Sequence, residues 1–200
     1  MLKFKTSQKV FEIGGVKIGG QPGENPTVLI GSIFYHKHSI VIDEKRGLFN
    51  KDKAEELIKL KEEYMDRTGN PGMMDVIGST EEAICKFIDF VANVTDMPIL
   101  IDSPSANVKI AGVKYAKETG LERRVIYNSL IPKSRGEEFE VIRENNIESA
   151  ILLAYKIAIT TSKARIEMLK ELLKRAEEAG IRKPLLDTFV IDIPSLSIAC

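Results

Sequence analysis

The feature that most constrains the fold is a repeated alternation of short apolar runs and helical segments. Six such runs follow Gly23, with the sequences TVLIGSIF, MMDVI, PILID, RVIYN, SAILLAY and DTFVID. Each is separated from the next by a segment typical of a helix, such as Lys51 to Asp66. Short apolar strands joined by single crossover helices are typical of a parallel sheet that is covered on both faces. The order predicts an α/β fold of six strands and five helices.

Local signals support these elements and define two regions. Ser79 and Glu82 are spaced as a capping box before one helix, and Ser162 begins another that Gly180 ends. Upstream, KVFEIGGVKIGG alternates around a Gly-Gly pair, which predicts a small β-hairpin that acts as a lid or plug. We expect an N-terminal hairpin extension over residues 1–22 and a (β/α) domain over residues 23–200.

Two architectures fit this alternation, a TIM-type barrel and a doubly wound open sheet. Polar residues at strand ends favour the barrel, because barrel sites assemble at the carboxyl ends of the strands. A doubly wound sheet would more often place a glycine-rich phosphate loop after strand 1, where this chain has GSIFYHKH. A complete barrel has eight units in about 250 residues. The sequence therefore predicts a barrel that is truncated after strand 6.

Composition narrows the functional classes. Lys plus Arg and Asp plus Glu each number 29, so no net positive field attracts nucleic acid. The two cysteines, Cys85 and Cys200, are too few for a disulfide framework, which favours a cytoplasmic protein. The N-terminus has no secretory pattern and the apolar runs are too short to span a bilayer, so we expect no direct membrane insertion.

Three polar residues end predicted strands and are candidate ligand-binding groups. Asp102 follows PILI, Asn128 follows RVIY, and Asp192 follows TFVI. Taken singly, each is also typical of a loop start or helix cap. Converging at one barrel mouth, two carboxylates and an amide suit a flat, amino-substituted heterocycle better than a phosphate. Asp75 in MMDVIG is a further candidate, although its favoured interpretation is a cap for the helix that starts near Ser79.

Longer strings carry a family resemblance along almost the whole chain. They are EIGGVKIGGQPGENPTVLIGSIFY, TGNPGMMDVIG, MPILIDSPSANVKIAGVKYAKETGL, RVIYNSL and DTFVIDIPSL. With them the chain resembles the pterin-binding barrel methyltransferases, which include dihydropteroate synthase and folate-dependent corrinoid methyltransferases. Within that superfamily it is most similar to the family of the pterin-binding H subunit of tetrahydromethanopterin S-methyltransferase.

The resemblance implies a reaction and roles for the candidate residues. The methyl group of methyl-tetrahydromethanopterin would pass to the cob(I)amide of a partner corrinoid subunit. Asp102, Asn128 and Asp192 would hold the pterin, with Asp102 and Asn128 as the catalytic pair and Asp75 as a weaker pterin-binding candidate. Assistance to protonation of the methylated nitrogen would come from an Asn on the next strand, beyond Cys200. Because the nucleophile is cobalt, Cys85 is interpreted as packing on a helix face.

Alternatives remain open on the sequence. Methyl-tetrahydrofolate is an alternative substrate, and a non-catalytic pterin-binding scaffold is an alternative role. His36 and His38 have the His-x-His spacing of barrel metallohydrolases, but no later strand end carries a His, so a loop pair without a metal is favoured. The resemblance also implies a cytoplasmic chain held at the membrane through the partner subunits of its complex, and it is compatible with a homodimer.

Overall fold

The fold consists of strands and helices that alternate along the chain. The computed structural model describes residues 4–155, 161–190, 193 and 196. The elements are, in chain order, β1 (Val10–Ile13), β2 (Val16–Gly19), β3 (Leu29–Ile33), β4 (Val41–Asp43), β5 (Leu48–Phe49), α1 (Lys51–Thr68), β6 (Gly72–Ile77), α2 (Glu81–Val94), β7 (Ile99–Asp102), α3 (Ala106–Glu118), β8 (Val125–Leu130), α4 (Gly136–Glu144), β9 (Ser149–Leu153), α5 (Ser162–Glu178) and β10 (Lys183–Asp187). None of the helices in the described residues is long and apolar enough to cross a membrane.

The main sheet has six parallel strands in the order β3-β6-β7-β8-β9-β10, which is also their order along the chain. Crossovers between parallel strands are right-handed, so an order that never reverses places every crossover helix on the same face. A doubly wound sheet reverses its order and is covered by helices on both faces. The prediction of a TIM-type fold is therefore confirmed, with the sheet open between β3 and β10.

Each face of the sheet has its own apolar core. On the outer face, Val76, Ile101 and Tyr127 pack with residues of the helices, including Ile84 and Phe87 of α2. Cys85 packs against the same outer core, so its interpretation as a packing residue is confirmed.

On the inner face, the N-terminal hairpin takes the place that helices take outside. Ile13 of β1 is fully buried against Met73, Leu100 and Ile126, near the amino ends of their strands. The turn of this hairpin is Gly14–Gly15, and both residues have positive φ (51° and 80°), which a two-residue turn requires. The predicted hairpin is confirmed, and it closes the amino end of the inner face.

The last strand lies earlier than the sequence predicts. The apolar run DTFVID suggests a strand over residues 187–192, whereas β10 pairs with β9 from Lys183↔Ser149 to Asp187↔Leu153. Pro184 argues against a strand at that position, but β10 is an edge strand and tolerates a residue without an N–H. The predicted strand-end residue Asp192 lies outside the described residues.

A second small hairpin, which the sequence did not indicate, follows the first strand of the sheet. Strands β4 and β5 are antiparallel and lie between β3 and α1. The carbonyl oxygens of Glu44 and Lys45 accept hydrogen bonds from Ser79 and Thr80, which fixes this hairpin to the start of α2. The predicted cap at Ser79 is wrong by one residue, because Thr80 is the N-cap and its hydroxyl accepts from the Ala83 N–H.

Candidate functional site

A layer of polar side chains lies on the inner face of the sheet near the carboxyl ends of its strands. Ser32 is in register with Asp75, and Asp102 is in register with Asn128. Successive side chains of a strand point to opposite faces, so residues two apart share a face. Asp75, Asp102 and Asn128 each come two residues after an apolar inner residue of the same strand, respectively Met73, Leu100 and Ile126. We call Ser32, Asp75, Asp102 and Asn128 the polar layer.

Asp75 is the hydrogen-bonding centre of the polar layer. The Ser32 hydroxyl donates to its Oδ2 at 2.8 Å, and the Asn128 amide donates to its Oδ1 at 3.1 Å. Because Asn128 is on β8 and Asp75 on β6, the second bond passes over the strand between them. An ionised carboxylate only accepts, so this bond also sets the orientation of the Asn128 amide, with its NH2 group toward Asp75.

Burial makes both carboxylates easier to protonate, and the charge of Asp75 adds to this effect at Asp102. Burial raises the pKa of Asp75, and the hydrogen bonds from Ser32 and Asn128 partly oppose that rise. Asp102 is affected more strongly: burial and then the charge of Asp75 raise its pKa to about 6, against the opposing effects of Lys109 and the Ser103 N–H. Buried carboxyl groups whose pKa is raised in this way are typical of functional sites.

The structure brings together three of the four residues that the sequence identified. Asp102, Asn128 and Asp75 share the polar layer, and Asp192 lies outside the described residues. The interpretation of Asp75 as a helix cap is wrong, since Asp75 is within β6, only 7% exposed, and bonded across the sheet.

Sequence reasoning missed Ser32. Its signal is the alternation of Val28, Ile30 and Ser32, which places Ser32 on the face of two apolar residues, one position before the end of β3.

The histidine pair does not form a ligand cluster. His36 is exposed and its Nδ1 lies 2.8 Å from Glu44 Oε2, while His38 packs on Tyr35 with ring centroids 4.4 Å apart. In the described part of the chain, no group of three or more His, Cys, Asp or Glu side chains is placed to hold a metal ion. The His-x-His motif therefore gains no further ligands there.

Comparisons with known proteins bear on the fold and on the family of the chain. The chain is similar to a solved dihydropteroate synthase of Xanthomonas albilineans with 4-aminobenzoic acid, with a TM-score of 0.53 at 16% identity over 88% of this chain and 63% of that one. At this identity the likeness concerns the fold alone. It supports the assignment of the sheet to a TIM-type barrel.

Sequence relatives are much closer. The chain is 48% identical over 190 residues to the H subunit of tetrahydromethanopterin S-methyltransferase from Methanopyrus kandleri, covering 90% of this chain and 59% of the relative. It is 46% identical over 198 residues to the protein of the same name in Methanothermobacter thermautotrophicus, covering 95% and 64%. The chain thus spans about three fifths of the length of these relatives. The model of the family described as "Tetrahydromethanopterin S-methyltransferase MtrH subunit" matches residues 6–200, and the chain belongs to that family.

Proposed function

We propose that the polar layer binds the pterin ring of methyl-tetrahydromethanopterin and that this chain takes part in transfer of its methyl group to the cob(I)amide of a corrinoid-carrying partner subunit. The family and the names of the relatives support this reaction. The observation that carries it is the hydrogen-bonded network of Ser32, buried Asp75 and Asn128 beside Asp102, which lies near the carboxyl ends of the strands, above the apolar inner layer.

The chemistry of the polar layer suits the amino-pyrimidinone edge of a pterin. Ionised Asp102 can accept two parallel hydrogen bonds from that edge, as carboxylates do from planar donors. Within the described residues the side-chain amide oxygen of Asn128 accepts no hydrogen bond. This oxygen can therefore accept from the reduced ring while the NH2 group stays on Asp75. We assign Asp192 to the same pterin-binding set, on the strength of the family resemblance.

Methyl transfer from a tertiary ring amine requires orientation and charge neutralisation. The bond between the methyl carbon and the ring nitrogen breaks as the methyl group passes to the cob(I)amide. Its electron pair stays on the ring nitrogen, which takes up a proton. The cob(I)amide of the partner supplies the nucleophile, so no protein nucleophile is required. Asp102 and Asn128 act as catalytic residues by holding the ring so that its methyl group faces the open mouth of the sheet.

The proposal includes the setting of the reaction. The relatives are named as subunits, and we propose that this chain works on the cytoplasmic side of a membrane-associated complex whose corrinoid subunit docks over the polar layer. The open carboxyl end of the sheet is the side from which a second protein can reach the bound methyl group.

Calorimetric titration of the chain with methyl-tetrahydromethanopterin tests this proposal. We expect saturable binding in the wild type, weaker binding in Asp102→Asn and Asn128→Ala, and wild-type affinity in Asp66→Asn, a matched change of an exposed aspartate on α1. Methyl transfer is followed separately with free cob(I)alamin, by the absorbance of methylcobalamin.

The same titration separates the alternatives. Equal affinity in all variants, or no binding, would contradict the proposed site. Tighter binding of methyl-tetrahydrofolate than of methyl-tetrahydromethanopterin would select the folate as substrate. Binding without methyl transfer to cob(I)alamin would favour the non-catalytic scaffold.

A further inference from the structure

Lys109 is a buried cation directly behind the polar layer. It lies on α3 among apolar residues and is only 7% exposed. Its ammonium group donates a hydrogen bond to the carbonyl oxygen of Ser129 at 2.8 Å and lies 4.6 Å from the centre of the Tyr127 ring. Ser129 follows Asn128 directly, so Lys109 holds the backbone that carries a residue of the polar layer.

A purely structural interpretation would pair Lys109 with Glu138 to join α3 and α4. The contacts of Lys109 show that pairing with Glu138 does not fully account for its position. Lys109 Nζ is 3.6 Å from Glu138 Oε1, farther than from the Ser129 oxygen. Glu138 also has other donors, because it accepts from the Tyr127 hydroxyl at 2.6 Å and from the Arg135 N–H at 2.8 Å. The shortest polar contact of the ammonium group is thus with the strand that ends in the site.

Lys109 also has an electrostatic effect on the pKa of Asp102. Asp75 on β6 faces Asp102 as a like charge and raises its pKa, whereas Lys109 on α3 and the Ser103 N–H lower it. Asn128, the register partner of Asp102 on β8, is neutral. Burial lowers the pKa of Lys109 itself, and the charges of Glu138 and Asp102 oppose that change. Lys109 is therefore the cation that offsets Asp75.

We propose that Lys109 is a positioning residue of the pterin site, which anchors the Ser129 carbonyl and thereby Asn128, and which keeps Asp102 ionised at neutral pH. This role rests on the proposed function, because it is the pterin edge that requires an ionised Asp102. It adds to the site a residue that does not touch the substrate and lies on the opposite face of the sheet.

The test measures the titration of Asp102 without any ligand, by carbon-13 NMR of aspartate-labelled chain, with Asp102→Asn to assign the resonance. We compare the wild type with Lys109→Met, Lys109→Gln and Glu138→Gln. Lys109→Gln retains a donor for the Ser129 carbonyl without the charge, so it also serves if Lys109→Met fails to fold. Both lysine variants should raise the Asp102 pKa, whereas Glu138→Gln should not, since it leaves the cation in place.

Pterin affinity as a function of pH gives the second readout. If loss of the cation raises the Asp102 pKa by about one unit, affinity falls about fivefold at pH 6 and about twofold at pH 7, and this part of the loss vanishes above pH 8. Lys109→Met should show an additional, pH-independent loss that Lys109→Gln largely lacks, because only the latter keeps the anchor.

The outcomes separate the two proposals. An Asp102 pKa that is unchanged in both folded lysine variants would overturn the role of Lys109, as would a Glu138→Gln variant with the same rise. Absence of pterin binding in the wild type would instead overturn the proposed function, and the ligand-free titration would still report on Lys109.

Discussion

Two layers of side chains on the inner face of the sheet lie only two residues apart on the same strands and have opposite roles. The amino-end layer of Met73, Leu100 and Ile126 is apolar and sealed by Ile13 of the N-terminal hairpin. The polar layer above it buries carboxylates whose pKa values are raised. Burial of apolar surface stabilises the fold, whereas burial of ionisable groups costs stability. Apolar burial at the amino end of the sheet therefore offsets part of the cost of burying carboxylates at its carboxyl end.

The largest effect should come from the apolar layer. Leu100 is 1% exposed, so Leu100→Ala removes buried methyl groups and leaves a cavity under the polar layer. We expect the free energy of unfolding to fall by about 2–5 kcal/mol, measured by urea denaturation. The pterin affinity of the folded protein should change far less. A loss of pterin affinity without a loss of stability would contradict the division of roles in which the apolar layer stabilises the fold and the polar layer binds the pterin.

Next in size is the expected effect of Asn128→Ala on pterin binding. The change removes a donor to Asp75 and the proposed contact with the ring, and should weaken binding by about 1–3 kcal/mol, measured by calorimetry. Asn93→Ala on α2 is the matched control, because Asn93 is exposed and outside the polar layer. Equal affinities in the two variants would remove Asn128 from the site.

Asp102→Asn should make the protein more stable at neutral pH. The pKa of Asp102 is raised in the folded chain to about 6 from 3.8, so its folded state favours the proton and stability is lost as pH rises through 6. After allowance for partial exposure, we expect the variant to gain about 1 kcal/mol near pH 7.5. The gain should shrink as the pH falls from 6 to 4 and vanish below about pH 3, where Asp102 is neutral in both the folded and the unfolded state. Thermal melts across this range measure it, and a variant less stable than the wild type at pH 7.5 would contradict the sign.

The smallest effect belongs to Ser32→Ala. Ser32 supplies one of the two side-chain hydrogen bonds that lower the pKa of Asp75, so its loss should raise that pKa further. Because Ser32 is exposed, the change in unfolding free energy should be about 0.5 kcal/mol. Carbon-13 NMR of labelled aspartates reports the titration of Asp75. A pKa that falls would show that the hydroxyl does not stabilise the carboxylate.

The regular part of the fold is predictable from sequence because the alternation of strands and helices is a local pattern. The position of β10 is not, since KPLLD is less apolar than the FVI run that follows it and contains Pro184. Only its place at the edge of the sheet makes that proline acceptable. The hairpin β4–β5 is too short for periodicity to reveal.

The site is predictable where a polar residue directly follows an apolar run, as Asp102 and Asn128 do, although β8 continues past Asn128 to Leu130. The role of Asp75 depends on partners 43 and 53 residues away in sequence, which a local pattern cannot show. Lys109 lies in ANVKIAGVKYAKE, where it resembles an ordinary exposed lysine of a surface helix. Its significance comes from Ser129 and Asp102, which only the packing of α3 on the sheet brings near it.

The most direct test is a crystal structure of this chain with methyl-tetrahydromethanopterin bound. We expect the pterin ring over the polar layer, with its amino-pyrimidinone edge in hydrogen-bond contact with Asp102, with Asn128 facing the reduced ring, and with the methyl group toward the open carboxyl end of the sheet. A ring bound elsewhere, or bound over the polar layer with neither Asp102 nor Asn128 in contact, would contradict the proposed site.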